Sequence, residues 1–328
     1  MTRTDAMSRP AQISYILFAA LFALLAWLHL GLFLLTVLFG YLALQAFNFR
    51  SNKAVSVLLY LIAVSAIGAG LIYFASVAFR TFPRIAETSI PAMVEFAERN
   101  GVHLPFTDYS SLKSSALDQA RDGIAIVGRY ARIASFQTVL LIAGLAVALS
   151  IFLNPSWSSG KVDLPHEGSL YSQVTSELSI RFRNLYQSFV RVMGAQIIIS
   201  AINTALTALY LVFARFPFSP LLVVLAFLCG LVPIVGNLIS NAVIVGVGFS
   251  ISPKAGLIAF AFLVVIHKLE YFLDSKIIGK RINSPMWLTL IGLLIGEKLM
   301  GLSGMVLAPV LLNFIRYEAS ALSSRRNE

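Results

Sequence analysis

Cysteine and charged side chains are scarce in this chain. Its 328 residues include a single cysteine, Cys229, which excludes an intramolecular disulfide framework. Only 12% of the residues are charged, whereas a typical soluble domain carries about 25%. Hydrophobic residues make up 58% of the sequence, and the mean hydropathy is +0.83. Because so little polar surface cannot keep a protein dissolved in water, the composition predicts an integral membrane protein whose first partner is the lipid bilayer.

Sequence signatures of enzymes are missing as well. The chain has no GxxxxGK[ST] phosphate loop, no HExxH or clustered Cys/His set, and no GxSxG motif. We therefore expect no enzymatic activity and no bound cofactor or metal. The net charge of +10 comes from 25 Lys and Arg residues that are scattered along the chain. A nucleic-acid-binding protein would gather them on one face, so nucleic acid is not an expected partner.

Long apolar runs are abundant, and basic residues flank them. Residues 13–49 are almost continuously apolar and would reach about 55 Å as one helix, against a hydrocarbon core of ~30 Å. Two shorter helices with a turn near residues 29–31 fit better. Because Lys and Arg favour the cytoplasmic side, their distribution predicts that both termini are cytoplasmic. Further apolar segments cover residues 54–79, 135–153, 192–214 and 255–273.

Changes in composition divide the chain into six regions. In the region 80–134, Pro83 and Pro91 are expected to break the chain into short helices, because proline lacks a backbone donor and clashes with the preceding turn. In the region 154–191, apolar residues at helical spacing predict an amphipathic helix over residues 169–190. The regions are N-terminal transmembrane helices (1–79), an extramembrane amphipathic insert (80–134), a transmembrane helix (135–153), a cytoplasmic amphipathic helix (154–191), a C-terminal transport core with two broken helical units (192–316) and a cytoplasmic tail (317–328).

Two of the apolar runs in the C-terminal part are interrupted. Residues 221–249 read LLVVLAFLCGLVPIVGNLISNAVIVGVGF, and residues 286–315 are divided by several glycines and by a Glu-Lys pair. Each unit is either a re-entrant hairpin or two short spans. Irregular backbone and charges are costly at membrane depth and are tolerated mainly beside a cavity or inside protein. The expected fold is an all-α polytopic membrane protein with about 7–8 transmembrane helices, including these broken or re-entrant helical hairpins.

The first interruption contains the sharpest candidate site. Pro233 removes a backbone donor, Gly236 permits non-helical dihedral angles, and Asn237 can satisfy freed backbone groups. Broken helices at mid-bilayer commonly present carbonyls and helix ends to a substrate. The alternative interpretation is a hairpin tip that only turns the chain.

Polar residues within the spans form a second group of candidates. Asn241 follows the first interruption by one helical turn, and Asn203 with Thr204 lies in the preceding span. Such residues either bind substrate or form hydrogen bonds between helices. The interhelical interpretation is the more common one, although Asn241 remains a candidate for the substrate pathway.

Acidic residues on the helix 255–273 and just after it could couple transport to an ion. Glu270 and Asp274 are four residues apart and share a helix face, where two carboxylates can bind a cation or carry a proton. Lysines and arginine in residues 268–281 could equally neutralise them in a structural ion-pair network. His267, at the end of a helix, is expected to be an interfacial anchor.

Charges also lie in the second interrupted unit. If its tip reaches into the membrane, Glu297 and Lys298 must be paired or face a water-filled cavity, because burying an isolated charge is expensive. If the unit consists of two full spans, they mark a solvated loop. Glu297, Gly301 and Gly304 are therefore included among the candidates for the substrate or ion pathway.

Three C-terminal segments resemble the autoinducer-2 exporter family of bacterial membrane proteins. They are LVPIVGNLI (231–239), KLEYFLDSKIIGKRI (268–282) and GLSGMVLAPVL (301–311). The resemblance is strong over residues 190–316 and weaker in the N-terminal half. One departure is Ser275, close to where the family often has a proline before the glycine corresponding to Gly279. The resemblance implies a homo-oligomeric transporter of the bacterial inner membrane that exports autoinducer-2 or exchanges sodium or lithium for protons.

The expected function is therefore secondary transport. We expect export of a small polar solute, an autoinducer-2-like signal or a metabolite, coupled to an ion or proton gradient through Glu270, Asp274 or Glu297. A Na⁺(Li⁺)/H⁺ antiporter of the same family is the nearest alternative. A passive channel and a membrane scaffold that recruits partners through its extramembrane segments are the others.

Overall fold

The computed structural model describes residues 8–48, 52–101, 123–154, 169–233, 235–273 and 286–327. Every regular element in these ranges is an α-helix, which confirms the predicted all-α class for this part of the chain. The helices are α1 (Arg9–Trp27), α2 (Gly31–Ala46), α3 (Lys53–Arg99), α4 (Gly123–Leu153), α5 (Leu170–Phe213), α6 (Ser219–Gly230), α7 (Val235–Ile251), α8 (Pro253–Leu273) and α9 (Met286–Asn327).

The described helices have the lengths expected of a polytopic membrane protein. Five helical segments are long and apolar enough to cross a bilayer, and α2, α6 and α7 are shorter apolar helices. With 12 residues, α6 is about 18 Å long, which is well short of the ~30 Å hydrocarbon core. This length favours a re-entrant hairpin over two full spans for α6 and α7.

Helix α3 is longer than the sequence predicts. It runs without interruption for 47 residues and contains Pro83 and Pro91. The predicted breaks at these two prolines are therefore wrong. Proline has a helix-compatible φ and removes only one hydrogen bond, so a helix can continue through it when surrounding contacts hold the chain. Ile85 and Ser89, which flank Pro83 and Pro91, are both buried and contribute such contacts.

Helix α5 joins two elements that the sequence predicts as separate. The predicted amphipathic helix over residues 169–190 and the predicted span over residues 192–214 form one helix of 44 residues. No proline lies between the two segments, and an isolated glycine such as Gly194 is tolerated inside a helix. The change from amphipathic to apolar composition therefore occurs within a continuous helix.

The chain forms two compact units, and α3, α4 and α5 contribute to both. We call them the first unit, Met1–Ala63, Ser135–Gly194 and Ile282–Glu328, and the second unit, Val64–Ala134 and Ala195–Arg281.

Aromatic and glycine contacts hold the first unit together. Phe18 of α1 packs against Phe182 of α5 and Phe314 of α9, with ring centroids 5.2 Å apart in both pairs. Gly144 of α4 lies so close to Thr36 of α2 that a side chain at this glycine would overlap it. Helix α1 ends at Trp27 and α2 begins at Gly31, which confirms the predicted turn near residues 29–31.

The second unit is built around the α6–α7–α8 segment. Its core consists of buried aliphatic side chains, with Leu222 of α6, Ile244 and Val247 of α7 and Leu263 of α8 each almost fully buried. Leu211 of α5 and Ile85 of α3 belong to the same cluster. The packing fixes the rotation of each helix about its own axis and thereby decides which polar side chains face one another.

Candidate functional site

The break between α6 and α7 is the frame of the candidate site. Helix α6 ends at Gly230 and α7 begins at Val235, with Pro233 between them. Gly236 lies inside α7, and its packing explains why it is glycine: a Cβ atom there would overlap the backbone carbonyl of Cys229. The predicted role of Gly236 in providing non-helical dihedral angles is wrong, because its backbone is helical.

Two side chains of α5 satisfy carbonyl groups at the end of α6. Gln196 Nε2 donates to the carbonyl oxygen of Gly230 at 2.6 Å. Ser200 Oγ donates to the carbonyl oxygen of Phe227 at 2.9 Å. The last carbonyls of a helix have no partner within the helix, and leaving them unpaired in an apolar environment is expensive. These contacts therefore stabilise the break.

Sequence reasoning missed Gln196 and Ser200, although a signal for them exists. In the otherwise apolar stretch of α5, polar residues recur at helical spacing and mark one face of the helix. Asn203 and Thr204, the two candidates named above in this span, belong to this face. The full set, which we call the α5 polar stripe, is Gln196, Ser200, Asn203, Thr204 and Thr207.

An acidic side chain meets the break from the opposite element. The Nδ2 atom of Asn237, in the first turn of α7, lies 2.6 Å and 2.7 Å from the two carboxylate oxygens of Glu270 on α8. The Glu270 side chain is only 13% exposed. An amide can donate to an ionised carboxylate through its nitrogen and accept from a protonated one through its oxygen. Asn237 can thus support both protonation states of Glu270.

His267 is a further neighbour of the Glu270 carboxylate. Its Nδ1 atom is 3.5 Å from Glu270 Oε2, and its side chain is 47% exposed. The predicted role as an interfacial anchor omits this contact. The half-exposed imidazole ring therefore lies beside the largely buried carboxylate.

A small cavity of about 20 Å³ lies beside this pair. Its volume is about that of a single water molecule. Asn203 Oδ1 and Thr204 Oγ1 are buried and have no hydrogen-bond partner within the described ranges. The favoured interpretation of these two residues as interhelical hydrogen-bond partners thus fails for these two oxygens. Polar side chains dominate the lining, which comprises Asn203, Thr204, Thr207, Asn237, Ser240, Asn241, His267 and Glu270 with Ala226 and Ile266.

The predicted residues of the first break fall into two groups. Asn237, Asn241 and Glu270 meet at this cavity, although Glu270 is 33 residues from Asn237 in the sequence. Pro233 and Gly236 shape the break and do not line the cavity. Asp274 lies outside the described residues, so its predicted place beside Glu270 stays a prediction.

The predicted residues of the second break lie in the first unit. Helix α9 turns at Gly301, whose φ of 61° and ψ of −144° are not helical. Across this turn Gly304 packs against the carbonyl group of Gly296 so closely that a Cβ atom would overlap it. Glu297 and Lys298 are both exposed just before the turn. Within the described ranges, the second break has charges at its surface and the first break has a buried one.

The turn in α9 rests on the turn between α1 and α2. His29, in the left-handed region with a φ of 53°, has its Nδ1 atom 2.8 Å from the carbonyl oxygen of Leu299. Gly31 lies against Met300 and Ser303, and a side chain at this glycine would overlap Met300. The tips of the two hairpins of the first unit therefore support each other.

Metal ligation by clustered side chains is not a feature of the described residues. No three His, Cys, Asp or Glu side chains among them come together as a possible metal site. The cavity of the second unit offers one carboxylate and several neutral oxygens. One negative charge balances one positive charge, so this set suits a proton or a monovalent cation.

Comparison with known proteins places the chain among membrane transporters. The sequence-family model described as AI-2E family transporter matches residues 12–319 of this chain. YdbI and YueF of Bacillus subtilis (strain 168) are similar, and both carry provisional names as transport proteins. YdbI is 28% identical over 123 residues, or 37% of this chain and 35% of YdbI. YueF is 33% identical over 130 residues, or 39% of this chain and 35% of YueF. The alignments thus span about a third of each relative's length.

Proposed function

Because the chain belongs to the AI-2E family of membrane transporters, we propose that it is a secondary transporter that exports a small polar solute of the autoinducer-2 or metabolite type. An ion or proton gradient drives this export, and Glu270 is the coupling group. Asn237 holds the carboxylate of Glu270, and Asn203 and Thr204 supply further oxygen ligands to the ion. Protein-mediated transport, and not catalysis, is the activity of the chain.

The contact between Glu270 and Asn237 is the observation that carries this proposal. An ionisable side chain inside an apolar helical bundle is costly and most often marks an ion pathway or a proton relay. Here the carboxylate is largely buried and is held by an amide at a helix break. An apolar residue of similar size would stabilise the bundle at lower cost. A purely structural role therefore does not explain why a glutamate is present at position 270.

The broken helix supports the same proposal. Transporters commonly bind their coupling ion where a helix is interrupted, because unwound backbone and helix ends then face the site. Gln196 and Ser200 donate hydrogen bonds to the carbonyl oxygens of Gly230 and Phe227 at the end of α6. The break can therefore persist at membrane depth without an ion, which allows the ion to leave.

Exchange of sodium or lithium for protons is the second candidate function. Asn203 Oδ1 and Thr204 Oγ1, which have no hydrogen-bond partner among the described residues, favour it, because alkali cations take carboxylate, amide and hydroxyl oxygens as ligands. In this mechanism Glu270 alternates between binding a proton and binding the cation. The solute-export and cation-exchange forms share the site and differ in the cargo.

Flux measurements on purified protein in proteoliposomes test the proposal. Proton movement is followed with an internal pH dye after a sodium, lithium or potassium gradient is applied, and efflux of labelled small polar metabolites is followed in parallel. Glu270→Gln should abolish gradient-coupled flux, because the amide cannot release a proton. Glu95→Gln, at an exposed acidic residue of α3, is the matched control and should retain wild-type flux.

Other outcomes of this experiment identify the rival functions. Equal coupled flux in the wild type and in Glu270→Gln would remove Glu270 from the coupling role. Steady conductance at high rate without a coupling gradient would indicate a passive channel. A complete lack of flux together with an intact cellular phenotype in Glu270→Gln would indicate a scaffold.

We also propose a location and an assembly for this multi-pass membrane protein. Both termini lie in the cytoplasm of a bacterial cell, the membrane is the inner membrane, and the protein is a homo-oligomer. The distribution of basic residues supports the orientation. Reporter fusions at each terminus that are active only in the cytoplasm or only in the periplasm test it, and native mass spectrometry of the purified protein measures the number of subunits.

A further inference from the structure

A second and much larger cavity lies in the first unit, among α1, α2, α4 and α5. Its volume is about 380 Å³. Ten of its fourteen lining residues are Leu, Val, Ile or Phe; Leu21, Leu25, Leu34, Val37, Val147 and Ile151 are among them. The four others are Tyr41, Ser179, Arg183 and Tyr186. We call this cavity the apolar groove.

Packed contacts hold the groove open. The rings of Phe18 and Phe182 meet at 5.2 Å, and those of Tyr41 and Tyr186 meet edge to face at 4.8 Å. Between α2 and α4, Gly40 lies so close to Ala148 that a side chain at this glycine would overlap it. The groove is therefore a built feature of the unit and not a gap left by loose helices.

The polar residues of the groove are suited to an anion. Arg183 is exposed and takes part in none of the ion pairs among the described residues. Its neighbour Arg181 is used differently: it is 3% exposed, pairs with Glu177 Oε2 at 2.7 Å and lies over the ring of Tyr15. The hydroxyl of Tyr41 accepts a hydrogen bond from Gln45 Nε2 at 2.8 Å, so its own proton can be donated to a ligand.

The lining distinguishes an amphiphile from a polar solute. A small polar molecule would lose its hydration against the aliphatic walls without gaining hydrogen bonds, which is unfavourable. An acyl chain meets no such cost and packs against the same walls, and a bilayer supplies acyl chains at high local concentration. A phosphate group next to them would find the guanidinium of Arg183, a cation that pairs well with phosphate oxygens.

We propose that the apolar groove binds an anionic phospholipid. One acyl chain occupies the part lined by Leu21, Leu34 and Val37, and the phosphate is held by Arg183 next to the hydroxyl of Tyr41. The lipid fills the space that the four helices leave between them and joins the first unit to the bilayer. This site is separate from the coupling site proposed at Glu270.

Native mass spectrometry of the purified full-length protein in detergent tests the proposal. Palmitoyl-oleoyl phosphatidylglycerol and the zwitterionic phosphatidylcholine with the same chains are titrated separately. The wild type should bind phosphatidylglycerol in preference to phosphatidylcholine. Arg183→Gln should reduce this preference about fivefold, which is the contribution of one basic residue near an anionic lipid surface. Arg191→Gln, at an exposed arginine two turns further along α5, is the matched control and should keep the preference.

A groove-filling variant tests the place of the acyl chain. Val37→Trp should remove the tightly bound lipid while the protein elutes as the wild type in size-exclusion chromatography. Equal affinity of the wild type for the two lipids would overturn the proposal, as would equal effects of Arg183→Gln and Arg191→Gln. Undiminished phosphatidylglycerol binding by a folded Val37→Trp variant would also overturn it. If Val37→Trp does not fold, the two arginine variants decide the question alone.

Discussion

The two breaks in the C-terminal helices share a close contact between a glycine and a backbone carbonyl, but they differ in the side chains around them. In the second unit, Gly236 packs against the carbonyl of Cys229 across the break; in the first unit, Gly304 packs against the carbonyl of Gly296. Beyond this similarity they differ. The break between α6 and α7 faces a carboxylate, Glu270, and a polar cavity, whereas the turn in α9 carries its charges at the surface.

This difference shows that a broken helix is not by itself a site. Both breaks need a glycine because two backbone segments approach closely. In the part of the chain that the structure describes, only the α6–α7 break is joined to a polar stripe on a neighbouring helix and to an acidic residue 33 positions from Asn237. The chemistry comes from the elements packed around the break, which supports the proposed coupling role of Glu270 in the second unit; a role of the turn in α9 in the pathway stays a prediction.

The largest expected effect tests the close glycine–carbonyl contact that both breaks share. Gly236→Ala and Gly304→Ala should each destabilise the protein by about 3 kcal/mol, because the new Cβ atom would overlap a backbone carbonyl that cannot move freely. Gly68→Ala, in an open part of α3 with no atom near the added Cβ, is the control and should be neutral. The midpoint of thermal unfolding in detergent measures the effect. If Gly236→Ala lowered the midpoint and Gly304→Ala did not, the backbone around Gly304 in the first unit would be able to shift and accommodate the added Cβ atom.

The next effect separates conformational strain from steric overlap. Gly301 has dihedral angles that only glycine adopts easily, and no atom lies within 4 Å of an added Cβ. Gly301→Ala should therefore cost about 2 kcal/mol through the backbone alone. The variant should lower the unfolding midpoint and leave proton coupling in the folded fraction unchanged. Lost coupling in well-folded Gly301→Ala protein would bring the turn in α9 into the transport mechanism.

A functional comparison within the second unit has a smaller expected effect. Asn237→Ala removes the donor to both oxygens of Glu270 and should reduce coupled flux about 10-fold, since a hydrogen bond to a charged group is worth roughly 1.5–3 kcal/mol. Asn241→Ala changes the same cavity without removing a donor to Glu270 and should cause a smaller loss. Initial rates of dye-reported proton flux in proteoliposomes give the ratio. Equal losses in both variants would argue for a general effect of cavity polarity.

The smallest expected effects concern the side chains that satisfy carbonyls near each break. Gln196→Leu leaves the buried carbonyl of Gly230 without its donor and should cost about 1 kcal/mol. His29→Leu removes the contact with the carbonyl of Leu299, which is exposed, and should cost less. Unfolding midpoints of the two variants, measured in the same detergent, give the comparison. A larger effect of His29→Leu would mean that the hairpin tips of the first unit are more tightly coupled than their exposure indicates.

Local features of the structure follow from the sequence, whereas the effect of some prolines does not. The turn near residues 29–31 and the break at Pro233 lie where composition predicts them. Pro83 and Pro91 have the same local signal and leave α3 uninterrupted. The difference depends on the surrounding contacts, since a helix continues through proline when its neighbours hold it. Sequence patterns report the local cost of proline and not what compensates for it.

Glu270 illustrates the same limit for the candidate site. Its charge in an apolar segment marks it as a candidate, and a partner four residues away, Asp274, is the one that helical spacing indicates. The structure adds Asn237 and the α5 polar stripe, which no local pattern connects to Glu270. Gln196 and Ser200 look ordinary in the sequence because their role depends on carbonyls of another helix.

The sequence by itself determined the membrane environment, the helical class and the positions of the two breaks. These properties depend on hydrophobicity and on the backbone constraints of proline and glycine, which act over a few residues. Only the tertiary structure decided that Glu270 meets Asn237, that α5 presents its polar stripe to this pair, and that the turn in α9 belongs to the other unit. Such pairings depend on how each helix is rotated and packed, and side chains far apart in the chain together set that arrangement.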